Sequence, residues 1–488
     1  MSAKPIPFQN NYGKLPEAFY QKIVPTRPPQ PKLKVWNENL AQFLGIDPNT
    51  SRFEIEGIFS GNQIALNSEP LAMAYSGHQF GHFNPNLGDG RAHLLGELVG
   101  ENGMLYDIQL KGSGQTRFSR NGDGLSPLGP VIREYLVSEA MHFLGVPTTR
   151  SLAVVETGQQ VYREMPLAGG VLTRVAESHI RIGHFEYFAN RNDIENLQVL
   201  IHFVIARSYP DLTDVEDKPL QLFEVILKKQ ARLVAQWMSF GFIHGVMNTD
   251  NTSVIGITID FGPCAFLDET NFEKVFSFID RQGRYAFGKQ PGIMQWNLAR
   301  LAESLLLTYP ETQRSKKIKD FEKLIEDFNE IFDGYWRSLF SKKIGFNNAL
   351  HGSDAKILEK WLEYFITEKI DFTQGFRDLS LLLSSEEIPS TYTNNNNFKE
   401  LIHDWKKLVL TYSNREDSKN LMESVNPIII PRNHVIERII QSCYSGDYTE
   451  FEQLAHELKT PYLYSENKKT FMTPPKKNER ITQTFCGT

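Results

Sequence analysis

The residues best suited to chemistry lie between His244 and Gly262, in the stretch HGVMNTDNTSVIGITIDFG. This stretch contains two carboxylates and one amide, at Asp250, Asn251 and Asp260. Oxygen ligands of this kind suit a hard divalent cation that also binds phosphate oxygens. Taken singly, each residue also suits a turn or the end of a strand, because Asp and Asn are favoured there. Their combination favours a cation site that holds a phosphate-containing molecule.

The residues between these ligands predict how they are brought together. Ser253 to Ile259 is rich in β-branched residues around Gly256, which predicts two short strands joined by a tight turn. Such a hairpin would return Asp260 to the neighbourhood of Asp250.

The same stretch resembles the catalytic and metal-binding segments of protein kinases. In those segments a His lies seven residues before a metal-binding Asn, and an Asp-Phe-Gly follows. His244, Asn251 and Asp260-Phe261-Gly262 fit this template. The position of the usual catalytic Asp, two residues after the His, is occupied here by Val246, which cannot accept a proton. The sequence therefore argues against an ordinary kinase mechanism.

The first half of the chain predicts a hairpin, a helix and a second hairpin, the order found in the small lobe of a protein kinase. Lys111 ends the second strand and Glu134 lies early in the helix, where that fold places a phosphate-binding Lys and its Glu partner. A lone Lys or Glu is usually a solvated surface charge, so this prediction rests on pattern and spacing. The predicted strands are Ala92 to Val99 and Met104 to Lys111, joined at Asn102-Gly103, and Ser151 to Glu156 and Gln160 to Met165, joined at Thr157-Gly158; the predicted helix covers 131–145.

A pair of glycines and a pair of arginines follow. Gly169 and Gly170 predict a flexible joint before a mainly helical half. Arg174 and Arg181 are seven residues apart, so on a helix they would share a face and could bind phosphate together. Surface solvation with ion pairing explains these two arginines equally well. Helices are predicted over 296–307, 318–340, 354–367, 398–411 and 433–443, and a polar loop over 384–397.

Composition narrows the function classes. The chain has 488 residues and a net charge of −6, which gives no general reason to expect nucleic acid or an anionic membrane as partner. No stretch of eighteen apolar residues occurs, and the first twenty residues lack the pattern of a signal or transit peptide. We expect a cytoplasmic monomer.

These patterns predict an α+β, protein-kinase-like fold with two lobes, a small β-rich one and a large helical one. The predicted parts are an N-terminal arm with one helix (1–60), the small lobe (61–166), the helical lobe (167–445) and a C-terminal helix and tail (446–488). The arm is rich in proline, and the tail from Pro461 onward shows little periodicity.

Across nearly its whole length the chain resembles the selenoprotein O family, kinase-like proteins that transfer AMP to protein hydroxyl groups. The resemblance implies that ATP binds in the reverse sense to that in a kinase, so that its α-phosphate is presented to a Ser, Thr or Tyr of a protein substrate, with Mg²⁺ or Mn²⁺ as the metal. The motifs that carry it are SGHQFGHFNPNLGDGRA, IQLKGSGQTRFSRNGDG, IREYLVSEAMHFLGVPTTRSL, TRVAESHIRIGHFE, HGVMNTDN with DFGP, NPIIIPRNH and the terminal TFCGT.

The resemblance also implies roles for single residues. Asp250 would be the proton acceptor, and Asn251 and Asp260 would bind the metal. The positive charge of Arg91 beside the glycines, and an acidic Asp123 that would repel phosphate, make a reversed nucleotide chemically reasonable. The nucleotide would be held by Gly88, Gly90, Arg91, Lys111, Asp123, Gly124, Arg174, Arg181 and Asp260.

The three cysteines are too few and too scattered for a disulfide framework. Cys486 lies two residues from the chain end, where its thiol is either open to oxidation or an uninvolved surface group. The resemblance implies selenocysteine at this position in some members, and a pairing with a cysteine after Asp-Phe-Gly. The corresponding stretch, NFEKVFSFIDRQGRY, contains none. Cys264 is the nearby alternative, but its position after Gly262-Pro263 predicts burial.

Three further functions compete with AMP transfer. A phosphotransferase could use Asp250 in place of the Asp missing at Val246, and a uridylyltransferase would use UTP instead of ATP. A catalytically dead scaffold would only bind nucleotide and partners. The sequence argues against the scaffold because Lys111, Glu134, Asn251 and Asp260 are all present.

Overall fold

The computed structural model describes residues 4–385, 392 and 396–484 of a mixed α and β protein with a large antiparallel sheet. Seven strands form this sheet, in the order β1-β3-β6-β7-β9-β8-β2, and every neighbouring pair is antiparallel. Two smaller pairs are β4 with β5 and β10 with β11. The strands are β1 Tyr20–Lys22, β2 Lys32–Trp36, β3 Leu71–Met73, β4 Gly77–Gln79, β5 His82–Asn84, β6 Ala92–Val99, β7 Leu105–Lys111, β8 Arg150–Tyr162, β9 Pro166–Ala176, β10 Phe242–Ile243 and β11 Ala265–Phe266.

Helices make up most of the rest of the chain. The five helices predicted in the second half are confirmed, as parts of α7, α8, α9, α11 and α13. The helices are α1 Glu38–Phe43, α2 Arg52–Ser60, α3 Leu128–Phe143, α4 Ile182–Asn190, α5 Ile194–Ser208, α6 Lys218–Ser239, α7 Gln290–Leu306, α8 Glu311–Lys343, α9 Lys356–Thr367, α10 Phe372–Ser384, α11 Asn396–Tyr412, α12 Arg415–Val425, α13 Asn433–Tyr444, α14 Thr449–Glu457 and α15 Lys469–Met472.

The N-terminal segment is more ordered than an arm with one helix. It contributes two strands and two helices, and β1 and β2 occupy the two edges of the seven-stranded sheet. Edge strands tolerate neighbouring prolines because one row of their backbone N–H groups is not needed for pairing. The prediction of a packed arm was therefore too simple, although the proline content is compatible with the observed edges.

Two turn predictions in the sheet are wrong. The turn predicted at Thr157-Gly158 is a bulge inside β8, where the pairing shifts register between Glu156 and Gln160. Gly158 has φ +72°, a conformation that suits a bulge as well as a hairpin turn. Gly169 and Gly170 lie inside β9, where Gly170 pairs with Glu156 of β8 and Gly169 pairs with Pro127, so they do not form a flexible joint.

The hairpin predicted over Ser253 to Ile259 is also absent from this part of the described chain. Ser253 pairs instead with Arg181, and Thr258 pairs with Thr148. The β-branched residues Val254 and Ile259 of the segment are fully buried in the core. The segment thus pairs at one end with Arg181, the residue before α4, and at the other end with Thr148, two residues before β8.

The hairpin joined at Asn102-Gly103 is confirmed as β6 and β7, with Gly103 at φ +76°. The predicted helix over 131–145 is confirmed as α3, and Gly145 beyond its end has φ +81°. Most of the polar loop predicted over 384–397 lies outside the described residues, whereas 396 and 397 begin α11. The divisions predicted at 60, 166 and 445 stay predictions.

The last described residues return to the middle of the molecule. Thr484 accepts a backbone hydrogen bond from Phe278 and donates one to Phe276, and its hydroxyl donates to the Pro263 carbonyl oxygen at 2.6 Å. Cys486 lies outside the described residues. In the part of the chain that the structure describes, no helix is both long and apolar enough to cross a membrane.

Candidate active site

A cavity of about 540 Å³ collects most of the chemistry-bearing residues of the sequence. Its walls come from the Gly88–Ala92 segment, from the ends of β7 and β9, from the N-terminus of α4 and from the Asp250 and Asp260 segments. The predicted residues that line it are Gly88, Gly90, Arg91, Lys111, Asp123, Gly124, Arg174, Arg181, Asp250, Asn251 and Asp260.

One wall is a buried cluster of two cations and two carboxylates. Lys111 Nζ donates to Glu134 Oε2 and to Asp260 Oδ1, both at 2.6 Å. Arg174 donates from Nη2 to the same Asp260 oxygen at 2.9 Å and from Nε to Glu134. The structure thus brings together the Lys and Glu that strand alternation and helix position had paired. Glu134 lies behind the cavity wall and orients both cations.

The charges of this cluster hold its carboxylates ionised. Burial alone would raise the pKa of Asp260, but Lys111, Arg174 and Arg91 keep it well below its ordinary value. Burial would also raise the pKa of Glu134, but the charges of Arg174 and Lys111 outweigh this effect and lower the pKa. Both groups therefore stay negative throughout the physiological range.

Asp260 has a strained backbone, with φ +68°. Side chains other than glycine rarely adopt this left-handed conformation, and it persists only where the surroundings enforce it. The next residue, Phe261, is fully buried and packs against Phe242 in the core. This anchor holds the carboxylate of Asp260 toward Lys111 and Arg174.

Asp250 has the electrostatic character of a proton acceptor. It lies in the single turn Thr249–Asn251, buried at the cavity wall. Its Oδ2 accepts from Gln79 Nε2 at 3.1 Å, and its buried Oδ1 has no hydrogen-bond partner among the described residues. Burial raises the pKa of Asp250 to about 7, although the charge of Arg181 and the Gln79 hydrogen bond oppose the shift. A carboxylate with this pKa is well matched to proton transfer near neutral pH.

The side-chain oxygen atoms near Asp250 suit a divalent cation that is also bound by phosphate. Asn251 donates its amide N–H to the Val246 carbonyl oxygen at 3.1 Å, which leaves its side-chain oxygen available. Asp260 and the unpartnered Oδ1 of Asp250 supply negative charge. The described residues contain no group of three or more His, Cys, Asp or Glu side chains suited to a metal. A cation here would depend on substrate oxygens and water, as Mg²⁺ commonly does.

Arg174 and Arg181 both line the cavity, but not by the predicted route. Arg174 is on β9, whereas Arg181 precedes the first residue of α4, so the prediction of one shared helix face was wrong. The guanidinium of Arg181 lies 4.5 Å from the centre of the Tyr75 ring and 3.5 Å from Asp89 Oδ1. The two arginines converge because only residues 177–181 separate the end of β9 from the start of α4.

The glycines of the site are required by packing. A Cβ at Gly88 would lie 2.2 Å from the Phe118 ring, and one at Gly90 would lie 2.7 Å from the Phe118 carbonyl oxygen. Gly124 has φ +68°, and its Cβ would meet the Gly114 carbonyl at 2.2 Å. Because no side chain would fit at these positions, glycine lets Gly88 and Gly90 pack against Phe118, and Gly124 pack against Gly114, at the cavity rim.

Asp123 lies at the rim and is already paired. Its carboxylate accepts from Arg163 at 2.8 and 3.1 Å. The hydrogen bonds from Arg163 keep the pKa of Asp123 below its ordinary value. Asp123 is therefore an ionised acceptor at the open side of the cavity.

Several residues that pattern analysis did not single out support the site. Asp89 accepts from Tyr75 at 3.2 Å and from Gln109 at 3.1 Å. Glu186 joins His78 to the Asp250 turn, since it hydrogen-bonds both His78 Nδ1 and Thr249 Oγ1 at 2.5 Å. These contacts join residues at least 14 positions apart in sequence, so no local periodicity points to them.

The cysteines of the described residues do not take part in this chemistry. Cys264 and Cys443 are buried free thiols. Burial raises the pKa of the Cys264 thiol and makes it a poor nucleophile, in agreement with its predicted burial. The redox role considered for Cys486 stays a prediction.

Comparison with known proteins gives consistent matches over the whole chain. A family model described as protein adenylyltransferase SelO matches residues 4–459. A "Protein nucleotidyltransferase YdiU" of Rhizobium etli is 47% identical over 487 residues, which cover 99% of this chain and 97% of the relative. A protein of the same name from Nitrobacter winogradskyi is 46% identical over 493 residues, covering 100% of this chain and 97% of the relative.

Proposed function

Since the chain belongs to the SelO family and is a protein nucleotidyltransferase, we propose that it transfers AMP from ATP to Ser, Thr or Tyr hydroxyl groups of proteins. In this reaction the acceptor oxygen forms a bond to the α-phosphorus, and the bond between that phosphorus and the bridging oxygen to the β-phosphate breaks. Pyrophosphate leaves, and the hydroxyl proton goes to an acceptor on the enzyme.

The observation that carries the proposal is the state of Asp250. It is the buried carboxylate at the cavity with one oxygen unpartnered among the described residues and with a pKa raised by burial to about 7. A hydroxyl that reaches this oxygen can transfer its proton while attacking phosphorus. Gln79 fixes the other oxygen, so the carboxylate stays oriented toward the cavity.

Lys111, Arg174 and Arg181 place cationic hydrogen-bond donors at the cavity, where the displaced phosphates would lie. The buried position of Glu134 between the first two of these cations fixes their side chains before substrate arrives. Preorganised charges of this kind stabilise a developing pyrophosphate without further rearrangement. A divalent cation held by Asn251 and Asp260 would neutralise phosphate charge and orient the α-phosphate.

We propose further that the chain has a kinase-like, two-lobed arrangement that binds its nucleotide in reverse. The Lys111–Glu134 pair and the Asp260-Phe261-Gly262 sequence support the likeness. Val246 supports the reversal, because it lines the cavity at the position where a kinase has its proton acceptor. Asp250, four residues later, replaces it.

ATP labelled separately at the α- and γ-phosphates tests the proposal. The purified chain, Mg²⁺ or Mn²⁺ and a mixture of candidate proteins are incubated with each label. We expect protein-bound label from α-labelled ATP alone. Label from γ-labelled ATP would identify a phosphotransferase, and absence of both would indicate a scaffold. A parallel reaction with α-labelled UTP decides which nucleotide is preferred.

A further inference from the structure

A cation outside the cavity is held in a fixed position at the turn between β4 and β5. The guanidinium carbon of Arg284 lies 4.7 Å from the centre of the Trp296 ring. A Cβ at Gly81 would also lie 3.6 Å from the guanidinium carbon, which is ordinary contact distance. The Arg284 guanidinium is therefore close to both an aromatic ring and the turn, and these neighbours restrict its position.

Arg284 lacks a carboxylate partner among the described residues, unlike a neighbouring arginine. Its buried Nε also has no hydrogen-bond acceptor there. Arg300 stacks on the same Trp296 ring at 4.9 Å but donates to Glu303 at 2.8 Å. The nearby Asp280 is occupied, since its two oxygens accept the backbone N–H groups of Arg284 and Tyr285. The Arg284 side chain hydrogen-bonds Tyr285 but has no carboxylate partner among the described residues, so it retains the capacity to bind an external carboxylate.

This cation lies beside the reacting end of the cavity. Gly81, where an added Cβ would lie 3.6 Å from the Arg284 guanidinium, is two residues from Gln79, the hydrogen-bond donor to Asp250. Two residues span at most about 7 Å of chain. The residue after Arg284, Tyr285, donates its hydroxyl hydrogen to Asn248 Oδ1 at 2.6 Å, and Asn248 lines the cavity.

The surface around Arg284 combines positive charge with exposed apolar side chains. Ile279 is 56% exposed and also lines the cavity, and Phe83 on β5 is 37% exposed. Arg281 is exposed between Ile279 and Arg284 in the chain. We call these four residues the acceptor face. Arg281 and Arg284 give this face positive charge, which would attract an acidic segment.

We propose that the protein substrate binds across the acceptor face, and that Arg284 binds an Asp or Glu two or three residues from the hydroxyl to be modified. The inference rests on the proposed function, because it assigns the hydroxyl to Asp250. Ile279 and Phe83 would cover the apolar part of the same segment. The substrates would then be distinguished from other hydroxyl-bearing proteins by acidic residues close to the modified position.

Two synthetic peptides test this. Each has one Ser and no Thr or Tyr, with Glu at two positions on either side in one peptide and Gln at those positions in the other. With α-labelled ATP, we expect the chain to use the Glu peptide with a kcat/KM roughly tenfold higher, the size of one charge-assisted hydrogen bond. Arg284→Gln should remove this preference and leave the KM for ATP unchanged.

Arg300→Gln is the matched control, because it removes an arginine from the same Trp296 ring that is already paired with Glu303. It should keep the preference for the Glu peptide. Arg284→Glu should reverse the preference toward a third peptide with Lys at the same positions, which a purely structural role would not produce. Melting temperatures of all variants verify folding.

Equal use of the Glu and Gln peptides by the unaltered chain would overturn the inference. A rise in the KM for ATP in Arg284→Gln would also overturn it, since Arg284 would then bind the nucleotide. Labelling of the chain itself or of other proteins, with neither peptide used, would overturn the acceptor face and leave the proposed function standing. Absence of α-label from every protein would instead refute the proposed function.

Discussion

Two buried arginines in this chain each bind two carboxylates, yet only one of them belongs to a site. Arg432 donates to both oxygens of Asp371, at 2.8 and 2.9 Å, and its Nη1 lies 3.4 Å from Asp268. Its Nε donates to the Met472 carbonyl oxygen at 3.0 Å. Every nitrogen of the guanidinium is therefore used within the protein.

The cluster at Arg174 also pairs buried cations with carboxylates but remains open. Arg174 and Lys111 share one oxygen of Asp260, and the cluster forms the wall of a cavity. Asp260 itself is held at φ +68°, and the neighbouring Asp250 has a buried oxygen without a partner among the described residues. An unpartnered carboxylate oxygen and a strained backbone, rather than buried charge alone, distinguish a reactive site from a structural ion pair.

The largest expected effect on transfer comes from Asp260→Ala. This change removes the negative charge that would hold a cation and leaves Lys111 and Arg174 with only Glu134. We expect transfer to fall by at least about a thousandfold, measured with α-labelled ATP, and metal-dependent nucleotide binding to weaken.

Asp268→Asn is the corresponding change in the Arg432 cluster and should leave transfer intact. Comparable losses in the two variants would show that both clusters act only through folding, and the contrast drawn between them would fail.

Lys111→Ala and Glu134→Ala should each reduce transfer by about 100-fold, the cost of losing one preorganised charge. Because the two residues act as one unit, the double variant should be little worse than either single variant. Steady-state kcat/KM for ATP in the four proteins gives the coupling directly. Simple additivity would contradict the pairing of these side chains at 2.6 Å.

The pH dependence follows from the sign of the shift at Asp250. Its pKa is raised to about 7, and only the ionised form can accept a proton. Transfer should therefore be lost as the pH falls through about 7, with kcat/KM decreasing tenfold per pH unit below that value. The acid limb should disappear in Asp250→Asn. A profile that stays flat from pH 8 to pH 5 would rule out this carboxylate as the proton acceptor.

The smallest effect on transfer is expected from Arg432→Ala, although the change is severe for stability. It leaves Asp371 and Asp268 without their cation, and breaking a buried ion pair costs about 3–5 kcal/mol. Urea unfolding should show this loss, whereas transfer per folded molecule should stay within about twofold. A specific loss of activity with unchanged stability would place Arg432 in the site.

The sequence predicted the parts of the site that depend on local pattern. Lys111 and Glu134 could be paired because the alternation of β7 and the start of α3 define their positions. Arg174 and Arg181 were assigned to a helix because a spacing of seven suits one, whereas the strand-to-helix junction depends on pairing with distant residues. The hairpin predicted over Ser253 to Ile259 failed for the same reason.

The sequence pattern did not identify the individual site residues that lie in segments without periodicity. Gln79 and Asp89 lie in a glycine-rich stretch, and their importance comes from contacts 171 and 92 residues away in sequence, with Asp250 and Arg181. The family motifs contained these residues but also contained Arg432, whose guanidinium nitrogens all bind groups within the protein. A motif marks positions of both kinds, and only the three-dimensional contacts separate them.

In the proposed reaction, Asp250 accepts the proton from a hydroxyl that attacks the α-phosphate. Its most direct test is the double variant Val246→Asp with Asp250→Asn, compared with Asp250→Asn alone. Asp250→Asn preserves size and should lower AMP transfer by about two to four orders of magnitude. The new carboxylate would stand two residues after His244, the sequence position of the catalytic Asp in kinases. With ATP labelled at the α- or the γ-phosphate, we expect the new carboxylate to support neither AMP transfer nor γ-phosphate transfer. Transfer of the γ-phosphate would contradict the reversed nucleotide and the reaction proposed for this chain.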